Sequence, residues 1–164
     1  MARYMVTGAA GFLGSHLTDQ LLNAGHSVVG LDNLCTGRAA NWSHLTGQSR
    51  FLGQTQDISQ TIPDVGPGEG VFHLASPASP TDFMDLAIEI MKVGSLGTLN
   101  ALEYARKHQA WFFMASTSEV YGDPLVHPQA ESYLGNVNPN GVRGVYDESK
   151  RFSEALVSAF RRKH

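Results

Sequence analysis

Tyr146 and Lys150 stand four residues apart in "YDESK". On a helix that spacing puts both side chains on one face. An ammonium beside a phenol favours the phenolate and lowers the phenol's pKa. A tyrosine so activated can take a proton from a substrate hydroxyl while the carbon that bears it is oxidised. Alone, such a pair is commonplace on an exposed helix, so its weight depends on what precedes it. "FFMASTSEVYGDP" closes an apolar run with a cluster of hydroxyls and a carboxylate, and its Thr117 can orient a substrate hydroxyl or share its proton. Near the N-terminus, "TGAAGFLG" spaces Gly8, Gly11 and Gly14 between an apolar run and a helical pattern. That is the context of a dinucleotide fingerprint. Gly8 permits the tight turn, Gly11 lets the backbone approach a pyrophosphate at a helix N-terminus, and Gly14 allows close packing. Asp32 ends the next apolar run about twenty residues on, where a carboxylate accepts hydrogen bonds from an adenosine ribose. It would repel a 2′-phosphate, which favours NAD over NADP, although Arg38 lies near enough to keep NADP open.

The elements that must position these residues follow from the pattern. "RYMVTG", "HSVVGLDN", "RFLGQTQDI", "GVFHLAS" and "WFFMAST" read as five strands. "GFLGSHLTDQLLNAG" reads as a helix stopped at Gly25. A long helix is expected from Phe83 to Lys107, with Gly94 and Gly97 as weak points inside it. "HPQAESYLGNVNPNGVRG" reads as a long loop, and loops of that length are usually functional. "VYDESKRFSEALVSAFRRKH" is a final helix with Phe152, Leu156 and Phe160 at i, i+4 spacing. Strands alternating with helices make an α/β fold with a doubly wound parallel sheet. Ligands bind beyond the carboxyl ends of such strands, where "TGAAG", "LDN", "QDI", "LASPAS" and "STSE" would gather. His73, inside a strand, reads as a satisfied core histidine.

Bulk properties set the bounds. A chain of 164 residues is one domain, and 42% hydrophobic content is ordinary for a globular protein. A net charge of −3 gives no reason to expect nucleic acid or an anionic membrane as partner. The single cysteine, Cys35, excludes an intrachain disulfide and fits a reducing compartment; it reads as a free loop thiol. "MARYMVTG" lacks the apolar core of a signal peptide, and no apolar run reaches about 18 residues, so a cytoplasmic protein is expected. No metal site is expected.

The Gly8, Gly11, Gly14 fingerprint with Thr117, Tyr146 and Lys150 resembles the Ser/Thr, Tyr, Lys set of the extended short-chain dehydrogenase/reductase superfamily. "HLASPASP", "ASTSEVYGDP", "HPQ" and "VNPNGVRGVYDESKR" resemble its UDP-glucuronate decarboxylase (UDP-xylose synthase) branch, and the resemblance runs across nearly the whole chain. It implies tight NAD binding, oxidation of the 4-hydroxyl of UDP-glucuronate to a 4-keto intermediate, loss of carbon dioxide, and reduction to UDP-xylose. A 4-ketone lies β to the carboxylate and can receive the electrons released there, so no net oxidant is required.

The same resemblance assigns roles. Tyr146 and Lys150 also touch the cofactor, with Gly8, Phe12, Leu13, Asp32, Asn33, Thr36, Gly37, Asp57, Ile58, Leu74, Ala75 and Ser76. It places Glu119 near the reacting sugar in acid/base or water-positioning work, with Pro77, Ser79, Phe83 and Ser118 at the substrate cleft. Phe83 stands where many relatives carry tyrosine, and Gly94 replaces a common asparagine. Ser118 separates branches: sugar 4,6-dehydratases carry an aspartate there as the acid, and epimerases usually lack the carboxylate of Glu119. An NAD-binding domain over residues 1–164 is expected, truncated relative to the family's later strands and substrate domain. The alternatives are a truncated NAD-binding module with little turnover, or a nucleotide-sugar 4,6-dehydratase or 4-epimerase of the same superfamily. A homodimer through the 83–107 and 145–163 helices is also implied.

Overall fold

The computed structural model describes residues 1–164. Five strands, β1 (Arg3–Thr7), β2 (Ser27–Asp32), β3 (Phe51–Thr55), β4 (Gly70–His73) and β5 (Trp111–Met114), form one parallel sheet in the order β3-β2-β1-β4-β5. The order reverses at β1, where Val6 stands level with Gly30 of β2 on one side and with Phe72 of β4 on the other. A crevice opens beyond the carboxyl ends at such a switch point. This is the Rossmann-type sheet that the alternation of strands and helices predicts.

Successive side chains leave a strand on opposite faces, and at the centre of the sheet, β1 and β2, both faces are covered. Met5, Val29, Leu31 and Val71 pack under Ala101, Tyr104 and Ala105 of helix α3 (Thr98–Lys107). Val6 and Val28 pack with Leu22 of helix α1 (Phe12–Asn23) on the other face. Each such aliphatic side chain contributes about 1.5–3 kcal/mol when fully buried. Helix α1 stops where Gly25 adopts φ +88, with His26 N–H donating to the Leu21 carbonyl and Gly25 N–H to that of Leu22. This closure uses the left-handed glycine that "NAG" supplies.

The expected helix from Phe83 to Lys107 is divided. A 3₁₀ turn spans Pro80–Asp82, helix α2 spans Ala87–Lys92, and a π-helical segment spans Val93–Gly97 before α3. Gly94 explains why the segment sits so close to helix α4 (Gly144–Lys163). A β-carbon on Gly94 would lie 2.7 Å from the Cβ of Ser149. The carbonyl of Gly94 accepts from Ser153 Oγ of α4 at 2.7 Å. The widened turn thus receives a side chain of the facing helix.

Helix α4 is present as expected, and the side chains it buries are largely polar. Tyr146, Ser149, Lys150 and Ser153 are buried, whereas Phe152 is 51% exposed. Met84, Ile88, Met91 and Leu99 are exposed as well, while Leu156 and Phe160 are half-buried. On β5, Trp111 and Phe113 are also exposed. No helix is long and apolar enough to cross a membrane.

Candidate active site

The glycine turn follows β1. Gly8 has φ +75, a conformation that costs other residues, and a Cβ there would sit 2.8 Å from the Ala75 backbone nitrogen. A Cβ on Gly14 would collide with the Gly8 carbonyl oxygen, so α1 can approach the turn only at a glycine. Asp32, at the end of β2, ties this turn to the next loop. Its carboxylate accepts from Ala10 N–H at 2.9 Å and Leu34 N–H at 2.8 Å. A Cβ on Gly37 would meet the same carboxylate at 2.7 Å. Each carboxylate oxygen has a second lone pair, so these bonds leave room for a ribose hydroxyl.

These residues border a cleft of about 430 Å³ at the carboxyl edge of the sheet. It is lined by Gly8, Gly11, Asp32, Asn33, Thr36 and Gly37, by Asp57 and Ile58 beyond β3, and by Leu74, Ala75, Ser76 and Pro77 beyond β4. The bare glycine backbones, the carboxylate and the size fit a dinucleotide. Phe12 and Leu13 do not line the cleft; they are exposed in the first turn of α1, where helix N–H groups lack intrahelical partners. Gly14 packs beneath the turn. Cys35, read as a loop thiol, is free and also borders the cleft, where partial burial and then the Asp32 charge push its thiol pKa up. Glu89 and Lys92 of α2 complete the wall, a contribution hidden in the sequence by the uncertain helix boundaries.

Beyond β5, the chain turns through a 3₁₀ segment at Ser118–Tyr121, capped by Thr117, whose Oγ accepts from Glu119 N–H at 3.2 Å. The opening of α4 brings Tyr146 beside Thr117. Burial raises the Tyr146 phenol above its ordinary value, the Thr117 hydroxyl pulls it down, and the Asp147 charge adds to the rise. Lys150 donates to the Ala115 carbonyl at 2.9 Å and sits 5.8 Å from the centre of the Tyr146 ring. Burial lowers the Lys150 pKa to about 8. The expectation that Lys150 depresses the phenol is therefore not met in the protein alone. The ammonium faces the ring and a carbonyl, and desolvation dominates Tyr146.

Phe83 corrects a second expectation. It is 2% exposed and stacks on Tyr146 with ring centres 5.2 Å apart, so it supports the tyrosine and does not face a substrate cleft. Ser79 is exposed and hydrogen-bonded to Thr81, and Ser118 is exposed beside Thr117. Glu119 forms an ion pair with Arg143, the residue just before α4. Arg143 was missed: it lies in the Asn- and Gly-rich loop, far from Glu119 in sequence, and no local periodicity links them. Its carbonyl also accepts from Tyr146 N–H at 2.9 Å, so one residue joins the Glu119 turn to the start of the tyrosine helix. His73 is buried and hydrogen-bonded on both ring nitrogens, as expected of a core histidine. No three His, Cys, Asp or Glu side chains are grouped so as to hold a metal ion.

Residues 4–164 match the model of the NAD dependent epimerase/dehydratase family. The chain is 47% identical over 158 residues to UDP-glucuronic acid decarboxylase 1 of Xenopus tropicalis, covering 96% of this chain and 37% of that protein. It is 45% identical over 163 residues to UDP-glucuronic acid decarboxylase 6 of Arabidopsis thaliana, covering 99% and 47%. Among solved structures it is similar to UDP-glucose 4-epimerase with UDP-glucose from Thermotoga maritima, with a TM-score of 0.83 and 30% identity, covering 98% of this chain and 51% of that one. The chain thus spans less than half the length of these two curated relatives.

Proposed function

The chain belongs to the NAD dependent epimerase/dehydratase family, and on that premise we propose that it is the cofactor-binding half of a UDP-glucuronate decarboxylase. The observation that carries this reading is the run Thr117–Ser118–Glu119 beside Tyr146, within a chain 44–47% identical to proteins of that name. Serine at 118 cannot easily protonate a leaving hydroxide, which speaks against a dehydratase. The carboxylate at Glu119 speaks against an epimerase.

In this reading Gly8, Gly11, Asp32, Thr36, Asp57 and Ser76 hold NAD, with Tyr146 and Lys150 at its reactive end. NAD, when bound, supplies an electron-pair acceptor for the sugar carbon and returns the pair at the end of the cycle. Tyr146 takes the proton of the 4-hydroxyl while Thr117 orients that hydroxyl. Lys150 lends positive charge to the phenolate that results. Carbon dioxide then leaves from C5, the carbon next to the new ketone, and the ketone oxygen receives the electrons. Glu119, held by Arg143, returns a proton or positions water at the carbon that lost the carboxylate. Phe83 keeps the Tyr146 ring in place.

The exposed apolar side chains Ile88, Met91, Leu99 and Phe152 on α2, α3 and α4 support a homodimer built on these helices, and the free thiol of Cys35 supports a reducing compartment. Light scattering of the chain at micromolar concentration is expected to give a dimer mass; a monomer would refute that assembly. The function is tested by adding NAD and UDP-glucuronate and identifying the product. UDP-xylose is expected. A C4 epimer with its carboxylate retained would sink the decarboxylase reading and favour an epimerase. NAD binding without any product would make the chain an NAD-binding module.

A further inference from the structure

A line of buried polar groups runs from the cofactor cleft to the tyrosine helix, and none of them belongs to the proposed reaction. Ala75 N–H, at the cleft wall against Gly8, donates to Thr7 Oγ at 3.3 Å. Thr7 Oγ lies 2.8 Å from His73 Nδ1, and His73 Nε2 lies 3.1 Å from Thr98 Oγ. Thr98 Oγ lies 3.2 Å from Ser153 Oγ on α4. Ser153 Oγ ends the line against two carbonyls, Gly94 at 2.7 Å and Ser149 at 2.8 Å. Thr7, His73, Thr98 and Ser153 are all at most 4% exposed.

The ends fix every direction between them. A carbonyl can only accept, and Gly94 and Ser149 both lie closer to Ser153 Oγ than Thr98 does, so the Ser153 proton points to one of them and Ser153 accepts from Thr98. The competing acceptor for Thr98, the Val93 carbonyl, is more distant at 3.5 Å. A hydroxyl has one proton, so Thr98 must accept from His73, which places that ring's proton on Nε2. His73 Nδ1 is then an acceptor and takes the Thr7 proton. Thr7 in turn accepts from Ala75 N–H, which can only donate. Burial, with the Lys150 charge beside it, holds the ring neutral, with its pKa lowered to about 3.

We propose that His73 is a positioning residue, held as the Nε2–H tautomer in a one-way hydrogen-bond chain that locks the cleft wall at Ala75 to the helix carrying Tyr146 and Lys150. The neutral imidazole suits this place because it alone offers an acceptor and a donor on opposite sides of one rigid ring. The consequence for binding rests on the NAD reading above; the tautomer does not.

Nitrogen-15 NMR of the labelled chain at neutral pH reads the tautomer directly. The expected result is a pyrrole-type Nε2 and a pyridine-type Nδ1 for His73. A proton on Nδ1, or rapid exchange between tautomers, would overturn the proposal whether or not NAD binds. Calorimetric titration with NAD then tests the coupling in two variants. Thr98→Val keeps the volume but removes the link, and is expected to weaken NAD binding roughly tenfold. Thr98→Ser keeps the hydroxyl and is expected to bind within about twofold of wild type. Wild-type affinity in Thr98→Val would refute the coupling. Failure of the wild-type chain to bind NAD would instead refute the cofactor reading and leave the tautomer result to decide the hydrogen-bond chain.

Discussion

Lys150 carries a cation into a place that does not solvate it, and burial lowers its pKa from 10.5 to about 8. Between those values the unfolded chain binds more protons than the folded one, so stability rises as pH increases from about 8 towards 10.5. Below pH 8 the buried ammonium costs the folded chain roughly 3 kcal/mol. Lys150→Met is therefore expected to stabilise the protein by about 1–3 kcal/mol at pH 7, less whatever is lost at the Ala115 carbonyl, and to flatten the alkaline rise. Urea melts at several pH values check this; a variant no more stable than wild type would contradict it. A residue that costs stability and stays has its reason in the site. At this scale the sequence was legible wherever type and spacing sufficed, as for Gly8, Gly14, Asp32, Tyr146 and Lys150. It was not legible where a partner comes from a distant loop, as Arg143 does for Glu119, or where an aromatic turns inward, as Phe83 does.

Gly94 and Ser149 set how closely the π-helical segment and α4 approach. A Cβ at position 94 meets the Cβ of Ser149, so Gly94→Ala is expected to destabilise by about 1–3 kcal/mol. Adding Ser149→Gly removes the opposing atom and is expected to recover about 1 kcal/mol of coupling in a double-mutant cycle. Additive effects of the two changes, measured by denaturant melts, would show that the contact does not set the spacing. The strands were readable because a parallel sheet covered on both faces needs short apolar runs ended by turn residues. The division of the 83–107 helix was not, because glycine marks a weak point without saying whether the helix ends, kinks or widens there. On helix α4 the i, i+4 spacing of Phe152, Leu156 and Phe160 was legible, but not that Ser149 and Ser153, on another face, pack against the π-helical segment.

As a whole, the molecule gathers the polar strand ends at one edge, with a dinucleotide-sized cleft across the switch point and Thr117, Tyr146 and Lys150 beyond β5. NAD that binds only the folded chain raises its stability by about 2.7 kcal/mol at a hundredfold excess over Kd. A thermal melt that did not move with NAD would contradict the cleft assignment. The central claim is that this edge oxidises UDP-glucuronate at C4 and so releases its carboxylate. It is tested most directly by following labelled carbon dioxide from carboxyl-labelled UDP-glucuronate in the presence of NAD. The account predicts release by the wild-type chain and at least about a hundredfold less from Tyr146→Phe. Saturating NAD with no carbon dioxide from wild type, or equal release from Tyr146→Phe, would contradict it.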